Sequence, residues 1–193
     1  MTVAGPARPI QGSRMLRRWP TALGVVFAAS LAAAYWFGFA EWERLAEVLA
    51  AAGLVYLGAA ALGLRSLAWP MFGIAFVLIT IGFLIPGFTP FWWMVGIGVA
   101  LVVLGLARGA VRPTWGLPLT AGVMLVIAVI VLTAMGLDRP WAAVLIALGL
   151  LAHAAWDVYH HRTGRVVVPS MAEFCAVLDA LLGLGLLVAN FAR

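Results

Sequence analysis

The architecture of this chain can be read outward from residues 145–190, LIALGLLAHAAWDVYHHRTGRVVVPSMAEFCAVLDALLGLGLLVAN. The apolar runs at both ends of this stretch are typical of membrane-spanning helices. Residues 153–179 between them nevertheless hold all three histidines, the only cysteine and three of the seven carboxylates. Ionisable groups at such depth cost about 2.5–3.5 kcal/mol each on insertion scales, and they usually face a bundle interior or a cavity. The stretch therefore predicts a helical hairpin that carries a functional site.

The composition of the whole chain agrees with a lipid environment. Of the 193 residues, 65% are hydrophobic and 10% are charged, and the mean hydropathy is +1.11. Soluble domains are about half apolar and a quarter charged, so much of this apolar surface must face lipid. The net charge of +5 comes from arginine alone, and no basic stripe interleaved with aromatic residues predicts nucleic-acid binding. We predict an all-α, polytopic transmembrane bundle.

Seven apolar segments are long enough to cross a hydrocarbon core of about 30 Å. They cover residues 21–40, 45–64, 67–87, 90–108, 118–136, 140–161 and 169–190. Prolines lie at or near their ends, where a missing N–H costs least: Pro70, Pro86, Pro90, Pro118, Pro140 and Pro169. Residues 1–20 are predicted as a basic cytoplasmic tail and 21–193 as one transmembrane domain. A cleavable signal peptide is the alternative for the first segment, but an apolar run that extends through Phe39 favours an uncleaved span.

The arginines predict the orientation of these spans. With a cytoplasmic tail, one side of the membrane receives nine arginines: Arg8, Arg14, Arg17, Arg18, Arg65, Arg108, Arg112, Arg162 and Arg165. The other side receives Arg44, Arg139 and Arg193. Because cytoplasmic loops are enriched in arginine and lysine, this division predicts that the N-terminus is inside and the C-terminus outside.

The polar residues of the last hairpin fall on facing helix surfaces. His153, Asp157 and His160 lie within about 40° of one helical direction, and His161 lies about 80° away. The chain then turns and re-enters at Pro169, so the last two helices are predicted to be antiparallel neighbours. At about 1.5 Å per residue, Glu173 reaches the depth of Asp157, while Cys175 and Asp179 bracket the depth of His153. We expect His153 within about 6 Å of Asp179 or Cys175, and Asp157 within similar reach of Glu173 or His160.

Three functions fit this set of side chains. Histidines and carboxylates on rigid helices are the ligands of zinc and iron sites, which predicts a metal-dependent enzyme acting on a lipid or another apolar substrate. The metal ligands would be His153, Asp157, His160 and His161, with Glu173 or Asp179 as a further ligand or catalytic general base. The same groups without an ion would serve a small proton- or ion-coupled transporter. The third alternative is a noncatalytic scaffold in which the polar residues only join two helices.

Two further features flank this cluster. Arg162 and Arg165 follow the histidines at the level of the lipid headgroups, where they would anchor the helix or bind a lipid phosphate. Cys175 is the only cysteine, so the chain has no internal disulfide, and it is predicted to be an inert buried thiol.

The motif H-x2-W-D-x2-H-H at 153–161, followed by Pro169, Phe174-Cys175 and Asp179, resembles a group of small bacterial polytopic membrane proteins. This resemblance implies a multi-pass protein of the bacterial inner membrane, with membrane lipids as its partners, and it implies no reaction. In span number and small ligand set the chain is also similar to single-zinc, seven-span membrane hydrolases of the alkaline ceramidase kind. It lacks the serine and spaced histidine motifs of those enzymes.

Overall fold

The structure, a computed structural model, describes residues 18–192. This part of the chain is all-helical and contains seven helices and no strand. The helices are α1 (Trp19–Trp36), α2 (Trp42–Leu62), α3 (Ala68–Leu84), α4 (Pro90–Ala107), α5 (Leu117–Ala134), α6 (Arg139–Thr163) and α7 (Pro169–Phe191), and a 3₁₀ turn at Arg65–Leu67 precedes α3. Each is long and apolar enough to cross a membrane, counting the 3₁₀ turn with α3. The predicted all-α, seven-span bundle is confirmed, whereas its N-in, C-out orientation stays a prediction.

Proline and glycine set most of the helix ends. A proline occupies one of the first two positions of α1, α4, α5, α6 and α7, where a helix needs no N–H donor. Gly63 and Gly164 end α2 and α6 with φ of +68° and +60°, a left-handed conformation that a side chain disfavours. These local signals explain why most predicted ends lie within three residues of the observed ones.

The first span ends earlier than predicted. Helix α1 stops at Trp36 rather than at residue 40, because the chain turns sharply at Gly38, which has a φ of +78°. The N–H groups of Phe39 and Ala40 both donate to the carbonyl oxygen of Ala34, at 2.8 and 3.1 Å. The apolar run in the sequence thus extends to Ala40, four residues beyond the end of the helix at Trp36. The basic tail predicted for residues 1–20 lies mostly outside the described residues, and α1 already begins at Trp19.

Helix α2 is the central element of the bundle. It packs against α3, α4, α5 and α6, and nearly all of its side chains are buried. Helix α7 packs on α6 along one side and on α1 along the other. A Cβ atom at Gly183 of α7 would lie 3.0 Å from the carbonyl oxygen of Ala147 on α6, so these two backbones approach closely. This close approach fixes the hairpin that carries the polar residues.

The outer surface of the described bundle is apolar. Large hydrophobic side chains such as Val103, Leu125 and Val188 are about 60% exposed or more. Polar side chains such as His153 and Asp157 are instead enclosed. Since water would favour the opposite arrangement, the exposed faces are those of a multi-pass membrane protein.

Candidate functional site

Three of the predicted site residues form one buried group, the His/Asp/Asp triad of His153, Asp157 and Asp179. The Nδ1 atom of His153 lies 3.0 Å from Oδ2 of Asp179 and 3.3 Å from Oδ2 of Asp157. His153 is 4% exposed, and neither aspartate is exposed. His153 and Asp157 are one helical turn apart on α6, and the short connection after residue 163 brings Asp179 of α7 opposite them. The prediction that His153 faces Asp179 across the hairpin is confirmed.

The connection between α6 and α7 has a tight backbone. The N–H of Val167 donates to the carbonyl oxygen of Arg165 at 2.7 Å, across Val166, which has a φ of +60°. A β-branched residue rarely adopts this conformation. The chain thus reverses direction over the few residues between Gly164 and Val168.

Tyr56 of α2 is a member of the site that the sequence interpretation missed. Its hydroxyl group donates to Oδ1 of Asp157 at 2.7 Å, and its ring packs edge-on against His153 and His160. A signal was present in the sequence: Tyr56 stands in the middle of an apolar span, and a buried tyrosine hydroxyl usually has a hydrogen-bond partner. The central helix therefore contributes directly to the site.

The remaining predicted ligands lie outside the triad. Among the described residues, only His153, Asp157 and Asp179 form a group of three or more potential ligands whose ligand atoms lie within 4.8 Å of one another. The Glu173 carboxylate accepts a hydrogen bond from the Thr21 hydroxyl group of α1. Nδ1 of His160 forms a hydrogen bond with the carbonyl oxygen of Trp156 at 2.9 Å. Nδ1 of His161 forms one with the carbonyl oxygen of Pro169 at 3.0 Å. The structure thus gives these three residues partners of their own.

The two arginines after α6 lie at the loop end of the hairpin. Arg165 donates to the hydroxyl oxygen of Tyr159 at 2.7 Å, and its guanidinium group lies 5.2 Å from the centre of the Trp115 ring. Arg162 is exposed at the last turn of α6. Binding of a lipid phosphate by this pair stays a prediction.

The triad leaves buried polar atoms without partners. Within residues 18–192, Nε2 of His153, Oδ2 of Asp157 and Oδ1 of Asp179 form no hydrogen bond. Nδ1 of His153 carries at most one proton, and the geometry assigns its hydrogen bond to Asp179. Buried polar groups are nearly always paired, because leaving one unpaired costs about 1–3 kcal/mol. A water molecule, an ion, a further proton or a ligand would each satisfy these atoms.

The spacing of the triad fits a coordination sphere. Ligand atoms at about 2.0–2.2 Å from a metal ion lie about 3.3–3.6 Å apart in a tetrahedral site and about 2.8–3.1 Å apart in an octahedral one. The two distances from Nδ1 of His153, 3.0 and 3.3 Å, lie in or beside these ranges. One imidazole with two carboxylates suits zinc or iron. Two of the three distances between potential ligand atoms thus fit a metal site, provided that Nδ1 of His153 loses its proton and binds the ion instead of donating to Asp179.

Next to the triad, a cavity of about 290 Å³ lies between α1 and α3, against α2 and α7; we call it the α1–α3 cavity. Asp179 and Cys175 form part of its wall, and most of the other lining residues are apolar. Cys175 is buried, and its sulfur lies 3.6 Å from the sulfur of Met171. Asp179 therefore belongs both to the triad and to the edge of an apolar space.

Together these features define a multi-pass helical bundle with a buried His/Asp/Asp group next to an apolar cavity. No protein-family model, curated protein or solved structure matches this chain. Its function must therefore be argued from the site itself.

Proposed function

We propose that this protein is a metal-dependent membrane enzyme that acts on a lipid or another apolar substrate. The single observation that carries the proposal is the convergence of three ligand atoms in the triad, inside a bundle whose exterior is apolar. His153, Asp157 and Asp179 would hold one zinc or iron ion, and Tyr56 would orient Asp157 through its hydrogen bond. In keeping with the resemblance drawn from its sequence, the enzyme would lie in a bacterial inner membrane, surrounded by lipid.

The chemistry follows from the ligand number and the surroundings. An ion held by these three residues would have room for a further ligand, and it would supply Lewis-acid chemistry or lower the pKa of a bound water. Asp179 is the triad residue that belongs to the cavity wall, where it is fully buried. The apolar walls exclude bulk water and strengthen electrostatic interactions at the site.

A proton-coupled transporter is the second proposal, and a different observation favours it. Tyr56, Asp157, His153 and Asp179 form a row of proton-carrying groups from α2 to α7, with successive polar atoms 2.7, 3.3 and 3.0 Å apart; the first and last contacts are hydrogen bonds, and a proton shift on His153 would complete the row. Series of this kind carry protons in membrane pumps and carriers. In this proposal the unpaired oxygen of Asp179 would accept the proton.

Metal analysis of the purified full-length protein separates the two proposals. The metal-enzyme proposal predicts about one zinc or iron ion per chain, because the triad forms one group. It also predicts that this ion is lost in His153→Ala and in Asp157→Asn. His161→Ala and Asp138→Asn are matched controls outside the triad, and they should keep the ion. Metal-free wild-type protein would contradict the metal-enzyme proposal. The transporter proposal would then require pH-dependent flux in proteoliposomes that changes in Asp179→Asn. If neither bound metal nor flux were found, the noncatalytic scaffold would be left.

A further inference from the structure

Two arginines lie on the connection between α6 and α7, residues 164–168, which we call the α6–α7 turn. The first is Arg65 of the 3₁₀ turn before α3, whose Nε donates to the carbonyl oxygen of Val167 at 3.3 Å. A Cβ atom at Gly164 would lie 3.4 Å from Nη2 of Arg65, so this guanidinium group lies against the turn. The second is Arg165, a residue of the turn itself. Two cationic side chains thus share one short turn.

Both guanidinium groups keep N–H donors that no protein group uses. An arginine side chain carries five N–H donors and no acceptor. Arg65 uses one of them for Val167, and Arg165 uses one for the hydroxyl oxygen of Tyr159 at 2.7 Å. Within residues 18–192, neither group forms another hydrogen bond or lies within 4.0 Å of a carboxylate. Each therefore has donors left for a ligand.

The arginines at the opposite ends of the same two helices are paired instead. Arg44 and Arg139 lie in the first turns of α2 and α6, and each forms an ion pair with a glutamate, at 3.0 and 2.8 Å. Arg65 and Arg165 follow the C-terminal ends of these helices and have no such counterion in the described part of the chain. Like charges on one turn repel each other, and a bound anion would offset this repulsion.

The surroundings of the turn favour a lipid as the source of the anion. The turn joins two spans, so it lies at the level of the lipid headgroups, where tryptophan is enriched. The Trp115 ring lies 5.2 Å from the guanidinium group of Arg165, and Nε1 of Trp69 donates to Ser170 beside the turn at 3.2 Å. The planar guanidinium group matches the oxygens of a phosphate. We propose that the α6–α7 turn binds the phosphate group of an anionic phospholipid through Arg65 and Arg165.

This lipid site is separate from the triad. Helix α6 continues from His153 to Thr163 for about three turns, or about 15 Å at 1.5 Å per residue, before it reaches the α6–α7 turn. Binding at the turn therefore does not require the metal centre of the proposed function. Lipid binding and metal content can be measured independently of each other.

The test measures lipid binding to the full-length protein in uncharged detergent micelles. The probe is phosphatidylglycerol with a dansyl group on one acyl chain, and energy transfer from tryptophan reports its binding. Unlabelled phosphatidylglycerol should displace the probe at least about tenfold better than phosphatidylcholine, because two arginines act on its net negative charge. Equal displacement by phosphatidylcholine, whose choline group cancels that charge, would overturn the proposal.

Matched arginine variants distinguish a defined site from a generally basic surface. Arg65→Gln and Arg165→Gln should each weaken phosphatidylglycerol binding at least about tenfold, the loss expected for a hydrogen bond to a charged group. Arg162→Gln removes the same charge at the same end of the bundle. Arg162 is exposed and has no hydrogen bond or ion pair in the described chain, so this control should weaken binding less than about threefold. Equal losses in all three variants would contradict a site at the turn.

Inorganic phosphate decides between a lipid and a soluble ligand. At millimolar concentration it should leave the probe bound, because it lacks the acyl chains that hold a lipid phosphate at this level. Displacement of the probe by inorganic phosphate would assign the turn to a soluble ligand and refute the lipid.

Thermal unfolding and metal content complete the experiment. Arg65 connects two loops, so loss of binding in Arg65→Gln supports the site only if the variant unfolds like the wild type. If it does not, Arg165→Gln decides, because Arg165 hydrogen-bonds only within its own hairpin; wild-type binding in that variant would refute the site. Metal-free protein that prefers phosphatidylglycerol would refute the metal centre and keep the lipid site. Metal-loaded protein without this preference would do the reverse.

Discussion

Tyr56→Phe tests most directly whether the central helix is part of the site. The substitution removes one hydroxyl group and keeps the ring, so it opens no large cavity. It deprives Oδ1 of Asp157 of its 2.7 Å donor at a position with no solvent exposure. Interhelical hydrogen bonds in membranes average about 0.6 kcal/mol and reach about 1.7 kcal/mol. Because the acceptor is a buried carboxylate, we expect a loss near the upper end, about 1.5 kcal/mol in the free energy of unfolding.

The same variant should weaken metal binding. Removing a group that holds a ligand in place usually costs about 10–100-fold in metal affinity. We therefore expect a chelator to remove the metal from Tyr56→Phe at a concentration at least about tenfold lower than from the wild type. Tyr159→Phe is the matched control, since Tyr159 is exposed and its hydroxyl group contacts Arg165 at the end of the hairpin. This control should change stability by less than about 0.5 kcal/mol.

A double-mutant cycle isolates the contact between Tyr56 and Asp157. Unfolding of Tyr56→Phe, Asp157→Ala and the double variant is followed in reconstituted protein by denaturant titration, because asparagine at position 157 would still accept the hydrogen bond. The coupling energy should be about 1 kcal/mol or more, because both groups are buried and in direct contact. A coupling energy near zero, together with unchanged metal affinity in Tyr56→Phe, would refute the reasoning that joins α2 to the triad.

Two further predictions concern the hairpin and the topology. Gly183→Ala places a Cβ atom 3.0 Å from the backbone of Ala147, so it should lower the free energy of unfolding by about 1–3 kcal/mol and release the metal. The control is Gly73→Ala, whose Cβ atom meets no atom within 4 Å. This control should change neither thermal unfolding nor metal content. An outward shift of α7 that leaves metal binding intact in Gly183→Ala would contradict the role given to this close approach. Reporter fusions at residue 193 should locate the C-terminus outside the cytoplasm, as the arginine distribution predicts, and an active cytoplasmic reporter at that position would reverse the orientation.

Local signals in the sequence determined the number and limits of the helices. Length and hydropathy identify a span without reference to its neighbours, and proline and glycine act on the backbone where they stand. The pairing of His153 with Asp179 was also predictable, because so short a connection forces α6 and α7 to run side by side at matching depth. The early end of α1 was missed because hydropathy does not register the turn at Gly38.

Only the tertiary structure decided which polar residues meet across other helices. Tyr56 reaches Asp157 because α2 occupies the centre of the bundle, and Glu173 meets Thr21 because α1 packs on the far side of α7. The sequence could not reveal this order, since helices that face lipid are apolar on nearly every side and leave no periodic pattern to mark their neighbours. Shape and close approach at small residues select the partners instead. The α1–α3 cavity exists for the same reason, as a space left by the packing of four helices that no single segment encodes.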